Sequence, residues 1–320
     1  MIIKPHFLQK GDKVAVVAPS SATNLNSVYN AQKRIRGLGL EPVMYPTCFT
    51  SYGHLAASDE ERARDINGAF SDDKIKGIFC LRGGYGAMRI LNLLDYDMIR
   101  NNPKIFIGFS DITALHVAFN QICRMVTFHG PMATSDFGKV MDGYVDYEKY
   151  TYESLIINLF TDVIPGRYEN PDCEELQALV GGKAEGELIG GNLSLLSSAL
   201  GSPYELDSRG KIIFIEEIGE PVYKIDRMLT TLALAGKFDD CSGIIIGTCT
   251  KCTREKKDYE GGFDLPLEEV LVNTLMKFNK PVITNFQAGH IFPQPTMAFG
   301  THVKIDGDNN EIIFTESGNL

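Results

Sequence analysis

The stretch at 104–122, KIFIGFSDITALHVAFNQI, runs from an almost unbroken apolar segment through Ser110-Asp111 into a helical one. Ile105, Phe106, Ile107 and Phe109 show no polar alternation, the pattern of a strand covered on both faces, as strands of parallel sheets are. The residues after Asp111 have helical character to about 122, so the passage reads as strand, tight turn, helix. The same unit recurs on its N-terminal side. Further strands are predicted at 13–19 (KVAVVAP), 41–46, 75–81 (IKGIFCL) and 125–129, with helices at 27–38, 58–70, 87–94 and 111–122. Ser58 and Glu61 have capping-box spacing, which sets the start of the second helix. Strand-helix alternation of this kind predicts a doubly wound parallel sheet, flavodoxin-like, over residues 1–135.

Beyond it the pattern weakens. Residues 136–182 are expected to be a connector holding one helix near 150–160, because Pro165, Gly166, Pro171 and Gly181-Gly182 interrupt any longer element. A smaller α/β domain is expected over 183–320. Its predicted strands are 185–189, 211–218, 243–248 and 281–286, with helices at 192–200, 223–235 and 267–278. It closes with a β-hairpin, 301–305 and 311–315, around Asp306-Gly307-Asp308-Asn309.

A chain of 320 residues exceeds what one core usually organises, which agrees with two domains. Its 44% hydrophobic and 22% charged residues are ordinary for a globular protein. A net charge of −10, no basic run beyond Arg254-Glu255-Lys256-Lys257 and no Trp argue against nucleic acid as a partner. No apolar stretch is long enough to span a bilayer, and Pro5, Lys10, Asp12 and Lys13 interrupt any secretory leader, so a cytoplasmic location is expected. The seven cysteines are odd in number and scattered, as cytosolic thiols are. Cys249 and Cys252 form the one C-x-x-C pair, without the second pair or histidines of a zinc site, so no metal is expected.

Ligands of open parallel sheets bind beyond the carboxyl ends of the strands. Four segments reach that edge: Ala18-Pro19-Ser20-Ser21, Arg82-Gly83-Gly84-Tyr85-Gly86, Gly108-Phe109-Ser110-Asp111 and His129-Gly130-Pro131. Ser110, between strand and helix, has two readings: a helix N-cap, or the nucleophile of an elbow turn. In the second, the Asp111 amide would receive an oxyanion, and an amide of the glycine loop, Gly83 or Gly84, would be the other donor. G-x-S-x-G is matched only in its first half, with Thr113 or Ile112 where a second glycine would stand. His290, on a loop between Gly289 and apolar residues, is the leading candidate base; His129 competes, and His116 reads as a packed or surface residue. The strand at 211–218 carries Glu216-Glu217 at its end, either a solvated terminus or a carboxylate with a partner. Strand alternation does not choose between the two acids.

Seven phrases in order, GDKVAVVAPSS, LRGGYGAMRIL, IGFSDITAL, TFHGPM, GGNLSLL, FIEEIGEPVYKIDRML and GHIFPQ, resemble the LD-carboxypeptidase family of serine peptidases over about residues 11–305. That family includes the L,D-carboxypeptidases of peptidoglycan recycling and the microcin C immunity peptidases. The resemblance implies a Ser-Glu-His triad of Ser110, Glu216 and His290, with the nucleophile on the first domain and its partners on the second. It alone selects Glu216 over Glu217. It further implies a murein tetrapeptide as substrate, cut at its L,D-amide bond to release D-Ala, no cofactor, and a homodimer. Arg82 is expected to hold the substrate carboxylate through paired hydrogen bonds, with Arg227 a less suited alternative. Tyr85 and Asn192 are further expected substrate contacts.

Three competing readings remain. A peptidase of peptidyl-nucleotide antibiotics should show an aromatic residue, often Trp, stacking on the base, and Trp is absent. A dinucleotide-dependent oxidoreductase would need a glycine fingerprint in the first βα turn, where Ala18-Pro19-Ser20-Ser21 stands. A binding protein that has lost the site would lack one of the three triad candidates, and all are present.

Overall fold

A computed structural model describes residues 2–135, 137–171, 174–255 and 262–320. Asp136 at the start of the expected connector, Cys173, and Lys256-Lys257 of the short basic run lie outside the described residues. The chain divides into two compact units. One comprises Met1–Ile164, Phe292–Gly300 and Ser317–Leu320; the other comprises Pro165–Ile291 and Thr301–Glu316.

The first unit is built on strands β1 (Lys13–Val17), β2 (Glu41–Met44), β3 (Ile75–Cys80), β4 (Ile105–Gly108) and β5 (Thr127–His129). They pair in parallel in the order β2-β1-β3-β4-β5, the flavodoxin-like winding that the alternation predicts. Met297–Phe299 adds a sixth, antiparallel strand beyond β5. The apolar runs are explained by burial: Val14, Val16, Phe79, Ile105 and Ile107 lie in one core with Val28, Ala31 and Ile35 of helix α1 (Leu25–Gly37). Helix α2 (Asp59–Ser71) starts at Ser58 with both capping-box bonds formed, Glu61 N to Ser58 Oγ and Ser58 N to Glu61 Oε2. Helix α3 (Tyr96–Asn101), which the sequence reading lacks, precedes β4, and α4 (Thr113–Gln121) follows it.

The segment predicted helical at 87–94 is instead a 3-10 helix, Ala87–Leu93. It runs from Gly86, at φ 128°, to the cap of α3, and its backbone groups are bound from outside: Ala87 N by Asp111 Oδ2, Leu91 O by the Tyr96 hydroxyl and Leu93 O by Asn67 Nδ2. Helix α5 (Lys149–Phe160), expected in the connector, buries Leu155 and Leu159 in the core of the first unit. The connector is therefore shared: α5 belongs to the first unit and strand Gln177–Val180 pairs in the second.

The second unit carries an eight-stranded sheet. Its centre is parallel, Lys183–Asn192, Ile212–Ile218, Gly243–Thr250 and Val282–Thr284 in that spatial order. The predicted hairpin, His302–Asp306 with Glu311–Phe314, extends it antiparallel from Lys183–Asn192. Helices Leu193–Ser198, Val222–Leu234 and Leu267–Leu275 supply the α layer. Among the described residues no helix is long and apolar enough to cross a membrane.

Candidate active site

In the winding order of the first unit the chain reverses direction at β1 and β3, and the loops leaving those strands flank the crevice where such sheets bind ligands. Those loops are Ala18–Ser21 and Arg82–Gly86, and β4 beside them delivers Ser110. Ser110 has φ 66°, a left-handed conformation that costs a non-glycine residue on the order of 1 kcal/mol or more. Phe109 before it is extended, and a 3-10 turn, Ser110–Ile112, leads into α4. This is the sharp strand-to-helix bend of a nucleophile elbow. Each half of the partial motif has a steric explanation. A Cβ on Gly108 would lie 3.0 Å from Ile112 side-chain carbons and 3.1 Å from Cys80 Cβ, so any side chain there would crowd both. Ile112 has regular helical angles, φ −65° and ψ −15°, which need no glycine.

The glycine loop lies directly on the serine. A Cβ at Gly83 would stand 3.1 Å from Ser110 Cβ and 3.2 Å from its Oγ, so a side chain there would crowd the serine. Gly84, at φ 109°, faces Ser21 Oγ, which accepts from Tyr85 N at 3.1 Å. Tyr85 itself is exposed, with the His54 ring 5.4 Å away. Arg82 donates from Nη1 to Ala22 O at 3.0 Å and from Nε to Gly83 O at 3.3 Å, which fixes its position at this edge.

Behind the elbow stands a polar cluster that sequence reasoning missed. The Asp111 carboxylate, buried, accepts from Ser20 Oγ at 2.6 Å and from Ala87 N at 2.8 Å. Burial raises its pKa above the ordinary carboxylate value, opposed by those hydrogen bonds. Fully buried Arg62 of α2 donates to Pro19 O, to Gly86 O at 2.9 Å and to Ala57 O at 3.2 Å. An Arg amid Asp59, Glu60 and Glu61 reads in sequence as a solvated helix face, and only the fold turns it inward.

His129 is wholly buried in the first unit, its ring 5.4 Å from that of Phe299 and 5.8 Å from that of Phe109. His116 is equally buried, with Nε2 2.8 Å from Gly108 O, and burial lowers its pKa to about 4. It is thus a neutral packed residue, not a surface one.

In the second unit His290 Nδ1 lies 2.7 Å from Glu216 Oε2, with the carboxylate fully buried. Two glycines make this pairing possible. A Cβ on Gly289, at φ 123°, would fall 2.8 Å from Glu216 Cβ and from its Oε2, so the residue before the histidine must be bare. Across the neighbouring strand the register breaks between Ile215 and Glu217, with Ile215 opposite Ile246 but Glu217 opposite Cys249. Gly247 lies in that irregularity and packs without a side chain on Ala288 O and the Phe214 ring.

Glu217 has a different environment. Its Oε1 accepts from Asn192 Nδ2 at 2.9 Å and Ile218 N at 2.8 Å, and its Oε2 from Ser194 N at 2.8 Å and Ser194 Oγ at 2.7 Å. Asn192, expected at the substrate, is thereby bound to Glu217 and also caps the following helix through Leu195 N at 3.3 Å. Cys249 and Cys252 are free thiols on a turn closed by Cys252 N to Cys249 O at 3.3 Å.

The structure therefore gathers Ser110, Asp111, Gly83, Gly84, Arg82 and Tyr85 on one unit, and pairs Glu216 with His290 on the other. The two halves correspond to the two parts of a known family pattern. The LD-carboxypeptidase N-terminal domain matches residues 14–130, and the LD-carboxypeptidase C-terminal domain matches residues 185–305. A probable murein peptide carboxypeptidase of Bacillus subtilis is 40% identical over 93% of this chain and 89% of its own. The microcin C7 self-immunity protein MccF of Escherichia coli is 30% identical over 93% of this chain and 91% of its own. The solved muramoyltetrapeptide carboxypeptidase of Oxalobacter formigenes superposes with a TM-score of 0.77 at 26% identity, over 95% of this chain and 99% of that one.

Proposed function

This chain belongs to the LD-carboxypeptidase family, and from that premise we propose that it is a serine carboxypeptidase acting on murein tetrapeptides through Ser110, His290 and Glu216. The observation that carries the assignment is the 2.7 Å contact of His290 Nδ1 with Glu216. A carboxylate on Nδ1 fixes the imidazole tautomer and leaves Nε2 as the atom that takes the Ser110 proton. The alkoxide attacks the carbonyl of the L,D-amide bond, and the oxyanion is received by the Asp111 amide and an amide of the Gly83-Gly84 pair. The imidazolium then protonates the departing amine of D-Ala, and water hydrolyses the acyl-enzyme by the reverse relay. His129, wholly buried against the Phe109 and Phe299 rings, is set aside as base in this reading. Arg82, at the edge beside the nucleophile, is the residue we assign to the free carboxylate of the substrate, with Tyr85 next to it. Asn192 supports Glu217. The physiological setting we propose is peptidoglycan recycling in the cytoplasm by a homodimer.

The test is release of D-Ala from a murein tetrapeptide ending in L-Lys–D-Ala or diaminopimelate–D-Ala, compared with the same peptide ending in L-Ala. We expect cleavage of the D-terminated peptide alone, lost in Ser110→Ala with folding intact. Comparable rates on both peptides would remove the L,D assignment while keeping a serine peptidase. Preferential cleavage of a peptidyl-nucleotide would instead move the chain to the activity named for its microcin C7 self-immunity relative.

A further inference from the structure

The Asp111 side chain has no part in the chemistry just described, yet it is buried and bonded to two separate loops beside Ser110. Resting on the assignment of Ser110 as nucleophile, we propose that Asp111 is a positioning residue whose carboxylate holds the glycine loop in register against Ser110. Its bonds are long-range: Ser20 Oγ lies 91 residues away in sequence and Ala87 N 24 residues away. A helix cap would bind amides two or three residues downstream, so capping does not account for the side chain. One carboxylate oxygen, Oδ2, receives both donors and so ties the loop after β1 and the loop after β3 to the residue beside the nucleophile. Arg62 binds the same two loops by their carbonyls, Pro19 O and Gly86 O. Arg62 and the Cys80 thiol of β3 are the titratable groups coupled electrostatically to the carboxylate.

The loop packs closely on its neighbours. Added carbons at Gly84 and Gly86 would fall 2.4 Å from Ser21 Oγ and 2.7 Å from Leu55 Cδ2. Ser21 N also bonds Gly83 O at 3.4 Å. An amide that must meet developing negative charge works only when it is held in place before reaction. A buried carboxylate is a costly way to hold a loop, since burial disfavours its charge. In return its Oδ2 accepts from both donors in fixed directions.

The experiment compares wild type, Asp111→Ala and Ser20→Ala in D-Ala release and in phosphonylation by an alkyl fluorophosphonate. In that probe the serine oxygen bonds phosphorus, fluoride leaves, His290 takes the serine proton and the phosphoryl oxygen occupies the oxyanion position. Alanine removes the acceptor oxygen, whereas asparagine would keep one for both donors. We expect Asp111→Ala to lower kcat about 10–100-fold with KM within about 3-fold, and to slow phosphonylation by the same factor. Ser20→Ala, which removes the Ser20 bond alone, should show the same split, smaller, at an unchanged melting temperature. Asp111→Ala kinetics within about twofold of wild type, or a loss confined to KM, overturns the inference. If Asp111→Ala does not fold, Ser20→Ala decides: kcat lost at constant KM supports the inference, and unchanged kcat overturns it. A wild-type enzyme that is not labelled at Ser110 overturns the nucleophile assignment and this inference with it. A labelled wild type with an equally fast Asp111→Ala overturns this inference alone.

Discussion

At the scale of single residues, two adjacent acids on one strand have opposite fates. Glu216 is bound to an imidazole, while Glu217 receives four hydrogen bonds from Asn192, Ser194 and Ile218. Replacing one carboxylate oxygen by an amide nitrogen should therefore act differently at the two positions. Glu216→Gln leaves the shape but offers the imidazole the wrong partner, and should lower kcat about 10³–10⁴-fold with little change in stability. Glu217→Gln puts a donor against donors, and should cost about 1–3 kcal/mol of stability. Steady-state kinetics and denaturant unfolding of both variants check this, and a large kcat loss confined to Glu217→Gln would exchange their roles. Lys104 is a second informative residue. It is 7% exposed and donates to Ala69 O, at 2.9 Å, and to Asp72 O at the end of α2, and burial lowers its pKa from 10.5 to about 8. Between these values the unfolded chain holds a proton that the folded chain has released, so stability rises with pH. The contribution is complete above the unfolded value and lost as pH falls through about 8. Relative to Lys104→Met, wild type should gain in unfolding free energy between about pH 7 and pH 10, read from urea melts. A pH-independent difference would mean that the ammonium is solvated.

At the scale of elements, agreement between sequence and structure follows how local the determining interaction is. The start of α2 was legible because Ser58 and Glu61 bond each other's backbone within one turn. Both bonds stay within the first turn of α2. Ser58→Ala should thus cost about 1 kcal/mol, a drop of a few degrees in melting temperature, with kcat and KM unchanged. Altered kinetics would show that α2, through Arg62, transmits its cap to the site. Elements set by distant partners were not legible. Met297–Phe299 is a three-residue strand defined only by its antiparallel pairing with β5, and Gln177–Val180 only by pairing with Val282–Thr284. The 3-10 segment Ala87–Leu93 likewise has its backbone groups bound by residues distant in sequence, Asp111 and Asn67 among them.

At the scale of the whole molecule, the sequence by itself determined the two α/β sheets, the parallel winding of the first and the closing hairpin of the second. Apolar runs such as KIFIGF and turn residues such as Asp306–Asn309 act within a few positions, so their patterning is readable along the chain. It also marked Ser110 by the strand-turn-helix passage and His290 by its loop, while leaving cap against nucleophile, and Glu216 against Glu217, open to residue reading alone. The contacts that bear on those alternatives are tertiary. The left-handed angle of Ser110, the bare backbone of Gly83 upon it and the contact of Glu216 with His290 arise where separate loops and strands converge. The same holds for the division into units, in which Phe292–Gly300 and Ser317–Leu320 rejoin the first. Hydrophobic period reports which face of an element is buried, but not against what. The partners of a buried polar group are chosen by spatial proximity and by the need to satisfy every donor and acceptor removed from water.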